Sequence, residues 1–372
     1  MKIQSVEVFK LDIPLKDPMV LSTGAIWNLA KNVAVRITTD NDHVGYGVTS
    51  QVPWYHGMTQ GMILDACQYL APVVVGQDPT SLARIHDLVD RALPRAGPAK
   101  CAIDLALYDL LGKAMNQPAY ALMGGRRRDS FPTTWTLPVG RETTWSTEET
   151  IAEARKKYDL GYRNFEVHVD KTEAGFEKDL ARINAVIDAC PGVGIDADIH
   201  RAWTVKQAIR AMRSIEKSNI WIEQPCETLR EVAEVRGQVT GGILVDENCQ
   251  TVADLIDVVM LHAADGICLK PIKAGGLYPS WQMSTISERF GLAVRIDGIP
   301  GESKLSNTAS AHVALTLKQP ILCGVMHHER LEYDFVKSGG IEFVDGQVRV
   351  TDAPGLGCEV DEGPLESVGY FN

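Results

Sequence analysis

Three carboxylates follow apolar runs in the middle of the chain and have the chemistry of a metal site. Asp198 ends the run GVGIDAD, Glu223 ends NIWIE and Glu247 follows GGILVD. They lie 25 and 24 residues apart, which is the length of one strand, one helix and two short loops. At the ends of neighbouring parallel strands they would repel one another unless a cation lay among them. Hard oxygen ligands favour Mg²⁺, with Mn²⁺ as the alternative.

Two predicted strands, one of them the strand of Asp198, carry ionisable groups with a spacing of two. GYRNFEVHVD places Glu166 and His168 on the same side of a strand. DADIH places Asp196, Asp198 and His200 on one face by the same rule. His200 is either part of a site or a hydrogen-bonded structural histidine, and the sequence leaves both readings open.

Three further polar groups follow the last predicted strands. Lys270 ends ICLK, Asp297 ends VRID, and Glu302 lies in IPGES. Glu302 would face the substrate or form a salt bridge with Lys304 or Arg295. The convergence of so many charges on one rim favours a site, because each is costly to bury unless it pairs with another group or a metal.

A repeated strand–helix scaffold is needed to bring these groups together. Helical segments separate eight strand-like runs, which begin near Phe131, Phe165, Val193, Ile220, Ile243, Ile267, Ala293 and Ile321. This alternation predicts a (β/α)₈-type barrel, in which the site lies at the C-terminal ends of the strands. A solenoid is disfavoured because the segments share no side-chain consensus.

An α+β domain is predicted over residues 1–125, where strand-like segments precede helical ones. Within it, residues 16–30 are predicted to be a mobile loop with Ile26 and Trp27 at an apolar tip. We expect this loop to close over the barrel mouth, with Trp27 touching the substrate, together with the stretch Trp54-Tyr55-His56. The alternative is a loop packed on its own domain.

Composition limits the kind of partner. The formal charge is −11 and the longest basic run is Arg126-Arg127-Arg128, so a nucleic-acid partner is not expected. The eight cysteines are scattered, which indicates reduced thiols and a cytoplasmic location. No apolar stretch approaches the length of a membrane span.

Several segments match, in order, the motifs of one known family. They are AIDLALYDLLGKAMNQPAYALMGG (102–125), DIHRAWT (198–204), IEQP (222–225), DEN (246–248), LKPIKAGG (269–276) and PGLG (354–357). Over nearly its whole length the chain thus resembles the enolase superfamily, close to the muconate-lactonizing enzymes and the related mandelate racemases. The resemblance implies an α/β fold, a modified TIM barrel (β/α)₇β over residues 126–335. An α+β N-terminal capping domain (1–125) would be completed by a C-terminal segment, residues 336–372.

The resemblance also implies a reaction. A base removes the proton next to a carboxylate of a small-molecule substrate, and Mg²⁺ stabilises the enediolate that forms. Asp198, Glu223 and Glu247 would be the metal ligands. Homo-oligomers are common in this superfamily, so we expect one here.

The chain departs from the family pattern at the second strand. Most relatives in the subgroup carry Lys-x-Lys where this chain has Glu166 and His168, so His168 replaces the catalytic lysine. Glu166 would orient His168 or pair with Lys270. The His–Asp dyad of mandelate racemases is missing, because Lys270 and Asp297 occupy its strands, and Lys270 becomes the second base.

Two bases on opposite sides of one carbon favour racemisation or epimerisation of a small carboxylic acid, either an amino acid derivative or a hydroxy acid. The same pair could remove a proton and protonate a leaving hydroxyl, which would make the protein a dehydratase, and the histidines at 168 and 200 favour this alternative. A cycloisomerase and a catalytically silent metal-binding homologue are the remaining hypotheses.

Overall fold

An antiparallel sheet forms the base of the N-terminal domain. The computed structural model describes residues 1–20, 26–137, 146–169, 176–215 and 220–372. In these residues the sheet has four strands, of which three are consecutive in sequence and the fourth is the last strand of the chain. The consecutive strands are β1 (Ile3–Val20), β2 (Ile26–Thr39) and β3 (Val44–Ser50).

Strand β1 contributes to two hydrophobic cores. Val6 and Val8 pack into the core of the N-terminal domain, whereas Leu11 and Ile13 belong to a core that continues into the barrel. The pairing register of β1 with the last strand shifts between Val8 and Phe9. The extra residue lies in the last strand, and β1 itself continues regularly, so its even-numbered and odd-numbered residues point to opposite faces and reach different cores.

Helices cover one face of this sheet. They are α1 (Pro53–His56), α2 (Gln60–Val74), α3 (Leu82–Ala92) and α4 (Gly97–Met115). Helix α4 lies directly against β3, since a Cβ at Gly45 or Gly47 would collide with the carbonyl oxygens of Ala106 and Ala102. The two glycines therefore set the close approach of helix and strand.

Parallel strands and helices alternate through the middle of the chain. The described strands are β5 (Thr134–Leu137), β6 (Asn164–His168), β7 (Gly194–Asp198), β8 (Ile220–Glu223), β9 (Gly242–Val245), β10 (Gly266–Leu269) and β11 (Ala293–Ile296). The helices are α5 (Thr147–Asp159), α6 (Phe176–Ala189), α7 (Val205–Ile215), α8 (Leu229–Arg236), α9 (Val252–Met260), α10 (Pro271–Ala274), α11 (Leu277–Arg289) and α12 (Lys304–Thr316). Capping boxes at Ser146, Thr228 and Thr251 begin three of them, which is why these helices start where they do.

The segment 320–324 closes the barrel. On one side Pro320 pairs with Val294 and Gly324 pairs with Asp297. On the other side Cys323 pairs with Thr133. The predicted eighth strand near Ile321 is therefore present as isolated parallel bridges and not as a continuous strand. The strand predicted near Phe131 divides into β4 (Phe131–Pro132), which leaves the barrel, and β5, which belongs to it.

The C-terminal residues return to the first domain. They form β12 (Val336–Gly339), β13 (Ile341–Val344), β14 (Gln347–Val350), β15 (Cys358–Val360) and β16 (Glu366–Phe371). Strand β14 pairs with β4, and β16 pairs with β1 along the edge of the N-terminal sheet. The predicted fold class, a modified TIM barrel with an α+β cap completed by the tail, is confirmed. The boundaries at 125 and 335 stay predictions.

The prediction of a loop at residues 16–30 was wrong for its described part. Residues 16–20 and 26–30 extend β1 and β2 as a hairpin, with Met19 opposite Trp27 and Val20 opposite Ile26. Residues 21–25, between them, lie outside the described residues. Among the residues that the structure describes, no helix is long and apolar enough to cross a membrane.

Candidate active site

Two of the predicted metal ligands stand side by side at the C-terminal edge of the barrel. Asp198 ends β7, Glu223 ends β8, and they are paired in the parallel register of those strands. Both are buried, and with Glu166 of β6 they offer carboxylate oxygens that lie within 4.8 Å of one another. Glu247 follows β9 and is also buried, with Oε1 3.5 Å from Nε of Arg201.

The environment of these carboxylates suits a cation. In the described residues, Oε1 of Glu223 and Oε2 of Glu247 are buried without a hydrogen-bond partner. Burial and the charge of Glu223 raise the pKa of Asp198 well above its usual range, and burial and Asp246 raise that of Glu247 to about 7. Buried carboxylate oxygens that lack hydrogen-bond donors fit a hard divalent ion such as Mg²⁺.

Asp246 is a second candidate for the third ligand. Its carboxylate lies within 4.8 Å of the ligand atoms of Glu223 and Cys268. It also pairs with Lys270 at 2.9 Å and Lys273 at 2.6 Å. Burial alone would raise the pKa of Asp246, but the two lysines outweigh it and lower the pKa. The sequence analysis named Glu247 from the pair Asp246 and Glu247, and the choice matters because adjacent residues face opposite sides of a strand.

His168 and His200 lie together beside Asp198. Nε2 of His168 is 3.5 Å from Oε2 of Glu166 and 3.9 Å from Oδ2 of Asp198, while Nε2 of His200 is 3.1 Å from that same Oδ2. The two imidazoles meet edge to face with centroids 4.9 Å apart. His200 has a φ of 50°, a left-handed conformation that is uncommon for a histidine and directs its ring toward the carboxylate.

Lys270 lies across the barrel from His168. Strands β6 and β10 are four positions apart in a ring of eight, if the closing segment 320–324 counts as the eighth. Nζ of Lys270 is 2.9 Å from Asp246, 3.2 Å from Asp297 and 4.9 Å from the centre of the Tyr55 ring. Burial lowers the pKa of Lys270, but Asp246 more than compensates and the pKa is raised well above its usual range. In this state the lysine is an ammonium group.

Arg295 lies at the centre of the charged network, whereas the sequence analysis named it only as a possible partner of Glu302. Its guanidinium is fully buried under the site and contacts Asp196, Glu223, Glu166 and Asp297, the last two at 2.6 and 3.4 Å. The available signal was an arginine in the middle of the buried strand AVRI, where a charge must find partners.

Glu166 pairs with Arg295 and accepts a hydrogen bond from Thr136, beside His168. Burial would raise the pKa of Glu166, but Arg295 outweighs it and holds the pKa well below the usual range. The predicted alternative, in which Glu166 pairs with Lys270, was wrong, because Lys270 is held by Asp246 and Asp297 on the other side of the barrel.

Glu302 is buried and has no charged partner in the described residues. Its Oε2 accepts hydrogen bonds from the backbone N–H of Ile299 at 3.1 Å and from Nδ2 of Asn307 at 3.2 Å. The predicted salt bridge with Lys304 or Arg295 is absent from these residues. Burial raises the pKa of Glu302 to about 8, so this side chain is largely protonated at neutral pH.

A cavity of about 60 Å³ lies between the N-terminal domain and the barrel mouth. Its wall consists of Val52, Tyr55, Thr136, Glu166, His168, Asp198, His200, Lys270, Asp297, Gly298, Ile299, Pro300 and His327. Tyr55 covers the mouth as expected, whereas the side chains of Trp54, His56 and Ile26 lie outside the described residues. Trp27 packs behind the wall, against Gly301. Thr136 and His327 are wall residues that the sequence analysis did not name.

Comparison with known proteins supports one family over most of the chain. Residues 3–124 match the family described as mandelate racemase / muconate lactonizing enzyme, N-terminal domain. Residues 149–363 match the family described as enolase C-terminal domain-like.

Three curated relatives have different activities. An N-succinyl-L-Arg/Lys racemase from Bacillus cereus is 29% identical, covering 100% of this chain and 99% of its own length. A hydrophobic dipeptide epimerase from Enterococcus faecalis is 30% identical, covering 86% and 88%. A cis-3-hydroxy-L-proline dehydratase from Roseibium aggregatum is 28% identical, covering 96% of both chains.

Solved structures agree with these relatives. A crystal structure of an N-succinyl Arg/Lys racemase from Bacillus cereus superimposes with a TM-score of 0.91 at 27% identity, over 100% of this chain and 99% of that one. A dipeptide epimerase from Enterococcus faecalis, complexed with Mg and the dipeptide L-Leu-L-Tyr, gives 0.88 at 28% identity, over 96% and 99%.

Proposed function

Since the chain belongs to the mandelate racemase and muconate lactonizing enzyme family of the enolase superfamily, we propose that it racemises or epimerises a small carboxylic acid. The observation that carries the proposal is the placement of His168 and Lys270 on opposite sides of the barrel mouth, above one group of carboxylates. Two proton-transfer groups facing opposite sides of one carbon are what inversion at that carbon requires.

The proposed metal is Mg²⁺, with Mn²⁺ as the alternative. Asp198 and Glu223 would hold it, with Glu247 or Asp246 as the third ligand. Bound there, the ion would supply the positive charge that makes a proton next to a carboxylate more acidic. Glu223 and Glu247 each have a buried oxygen without a hydrogen-bond partner among the described residues, which supports this assignment.

The side chains divide the proton transfers. The imidazole of His168 removes the α-proton from its face, and the neighbouring Glu166 carboxylate stabilises the imidazolium that results. Nζ of Lys270 delivers a proton to the opposite face, for which its ammonium form is suited. In the reverse direction Lys270 must first lose its proton, and release of Asp246 from the lysine would favour that loss.

We propose an N-substituted amino acid as the substrate class, because relatives named for N-succinyl amino acids and dipeptides share this fold over nearly the full chain. Dehydration of a hydroxylated acid is the second candidate. It is supported by His200, which adds a further proton-transfer group next to His168 on the metal side of the site. A relative that is a cis-3-hydroxy-L-proline dehydratase adds to that support.

The test is proton exchange in D₂O with Mg²⁺, followed by mass spectrometry, over a library of N-acyl amino acids, dipeptides and hydroxyprolines. Racemisation is established if the acid keeps its carbon skeleton, gains deuterium at the α-carbon and appears in both configurations. Dehydration is established if the product has lost water. His168→Asn should abolish exchange from one enantiomer and Lys270→Met from the other.

The controls replace exposed residues of the same types, as His262→Asn and Lys206→Met. These variants should exchange the substrate α-proton at the wild-type rate. Absence of exchange and of water loss from every acid would contradict the proposal.

A further inference from the structure

One wall of the cavity carries a histidine and a carboxylate that none of the roles above uses. Asp297 follows β11, and His327 begins a 3₁₀ turn (His327–Arg330) after the closing segment 320–324. Asp198 and Glu223 lie on β7 and β8. In the ring of strands, at least two other strands lie between these and the positions of Asp297 and His327 in either direction. Asp297 and His327 would therefore face the part of a bound substrate that points away from the proposed metal.

The imidazole of His327 is held in one orientation. Its Nε2 is 3.4 Å from Oδ1 of Asp297, and the ring lies so close to Gly298 that a Cβ there would press on its edge. Asp297 in turn lies 3.2 Å from Nζ of Lys270 and 3.4 Å from the guanidinium of Arg295. Burial would raise the pKa of Asp297, but these two cations outweigh it and lower the pKa.

The arrangement fixes which nitrogen of His327 is available. An ionised Asp297 can only accept a hydrogen bond, so the proton of the neutral imidazole stays on Nε2. Nδ1 then carries a free lone pair. In the part of the chain that the structure describes, Nδ1 has no hydrogen-bond partner, and His327 is a wall residue of the cavity.

The other polar groups in or beside this wall already have partners. Asp297 contacts Lys270 and Arg295, and the carboxyl group of Glu302 is turned toward Ile299 and Asn307. An ammonium group on the substrate would therefore meet Asp297 beside two cations that repel it. The remaining wall residues Gly298, Ile299 and Pro300 add no side-chain donor or acceptor.

Resting on the proposed function, we infer that His327 is a specificity-determining residue whose Nδ1 accepts a hydrogen bond from a hydroxyl group on the substrate side chain. The preferred substrate is then a hydroxylated member of the acid class and not its unsubstituted or ammonium-bearing counterpart. A buried acceptor left without a donor disfavours a substrate that lacks the hydroxyl.

The experiment compares matched acids that differ by one side-chain hydroxyl, such as N-acyl-serine with N-acyl-alanine and N-acyl-hydroxyproline with N-acyl-proline. Dissociation constants are measured calorimetrically with Mg²⁺ present, and α-proton exchange rates in D₂O are measured in parallel. The wild-type protein should prefer the hydroxylated acid of at least one pair by about 10- to 100-fold.

Two substitutions of His327 distinguish the effect of its hydrogen bond from the effect of its size. His327→Phe should remove this preference while leaving the affinity for the unsubstituted acid within about threefold, and His327→Asn, which keeps an acceptor near the Nδ1 position, should retain part of it. His328→Gln is the matched control. His328 bonds to Asn307 at 3.0 Å and is not a wall residue of the cavity, so its replacement should leave the preference unchanged.

The two proposals fail in different ways. Equal affinities for the members of every pair, or an equal loss for both members in His327→Phe, would overturn the role of His327 even if protons exchange. Hydroxyl preference in binding without exchange or water loss from any acid would support His327 and contradict the proposed reaction.

Discussion

At the scale of single residues, the site is a network in which each cation is shared or doubled, since Arg295 contacts four carboxylates. Asp246 is balanced by two lysines, whereas Glu247 has an oxygen without a partner in the described residues. Either could complete the metal site with Asp198 and Glu223. Asp246 is favoured because its oxygens converge with those of Glu223, and because its engagement by the metal would release Lys270 for proton transfer.

The third ligand can be identified by comparing Asp246→Asn with Glu247→Gln. We expect Asp246→Asn to weaken Mg²⁺ binding at least tenfold in a calorimetric titration, and Glu247→Gln to weaken it less than about threefold, since a lost carboxylate ligand removes a charge–charge contact. The reverse order of effects would identify Glu247 instead. Thermal unfolding without metal shows whether either variant is folded.

The buried carboxyl group of Glu302 makes the free energy of unfolding depend on pH. Its pKa is about 8 in the folded protein, well above that of an exposed glutamate. Below the unfolded-state pKa both states are protonated and the group has no effect. As pH rises through that value the unfolded state loses the proton first, so stability falls until the folded-state pKa is reached.

Glu302→Gln should therefore be more stable than the wild type at alkaline pH. Both donors to Glu302 reach Oε2, so a glutamine oxygen can accept the same hydrogen bonds. We expect the two proteins to have similar free energies of unfolding at pH 4.5 and to differ by roughly 4 kcal/mol at pH 8, measured by denaturant unfolding. Glu332→Gln, at an exposed position, should show no such divergence. A constant difference across this range would contradict the assignment.

At the scale of elements, the contact of α4 with β3 depends on the absence of side chains at two strand positions. Gly47→Ala should lower the free energy of unfolding by about 3 kcal/mol, because the new Cβ meets the backbone of Ala102 and neither element can move without its neighbours. Gly61→Ala in α2 is the control. Its Cβ would point into open space, so it should stabilise the helix by up to about 1 kcal/mol. Melting temperatures of both variants test the contrast, and equal shifts would refute it.

Elements were predictable from sequence where local pattern and tertiary structure agree. The barrel helices follow from apolar periodicity and capping boxes such as that at Thr251. The strand pairing of residues 16–20 with 26–30 did not follow, because Pro18 and Gly24 interrupt the strand pattern of the sequence. Thr133 separates two strands of different sheets within one continuous β-like run, which no local pattern reveals.

The candidate site was predictable only as far as strand order allows. Spacing located Asp198 and Glu223 at neighbouring strand ends. It could not show that Arg295 reaches Glu166, because this contact crosses the closed barrel. It also could not show that His327 meets Asp297, because the segment before His327 pairs with β11 only through isolated bridges. Convergence across a ring is a three-dimensional property that one sequence does not contain.

At the scale of the whole molecule, the first and last strands are joined along one edge. Removal of residues 365–372 should expose the edge of β1 and loosen the N-terminal domain while the barrel persists. We expect faster hydrogen–deuterium exchange at Val6, Val8 and Lys10, and unchanged exchange in β7.

The control for this truncation is Tyr370→Ser, an exposed position of β16 that leaves the strand pairing possible. Its exchange should resemble that of the wild type. If the truncated protein lost as much exchange protection in its barrel strands as in β1, the tail would support the entire fold.

The guanidinium of Arg295 also restricts which side chains position 166 can accept. A lysine at position 166 would place its ammonium group against Arg295, and two cations would then be buried side by side. A neutral residue at position 295 would remove that repulsion, but on its own it would leave the buried carboxylates of Asp196 and Glu223 without their cation. Each single substitution therefore gives a less stable protein, and a change of charge at position 166 requires a simultaneous change at position 295.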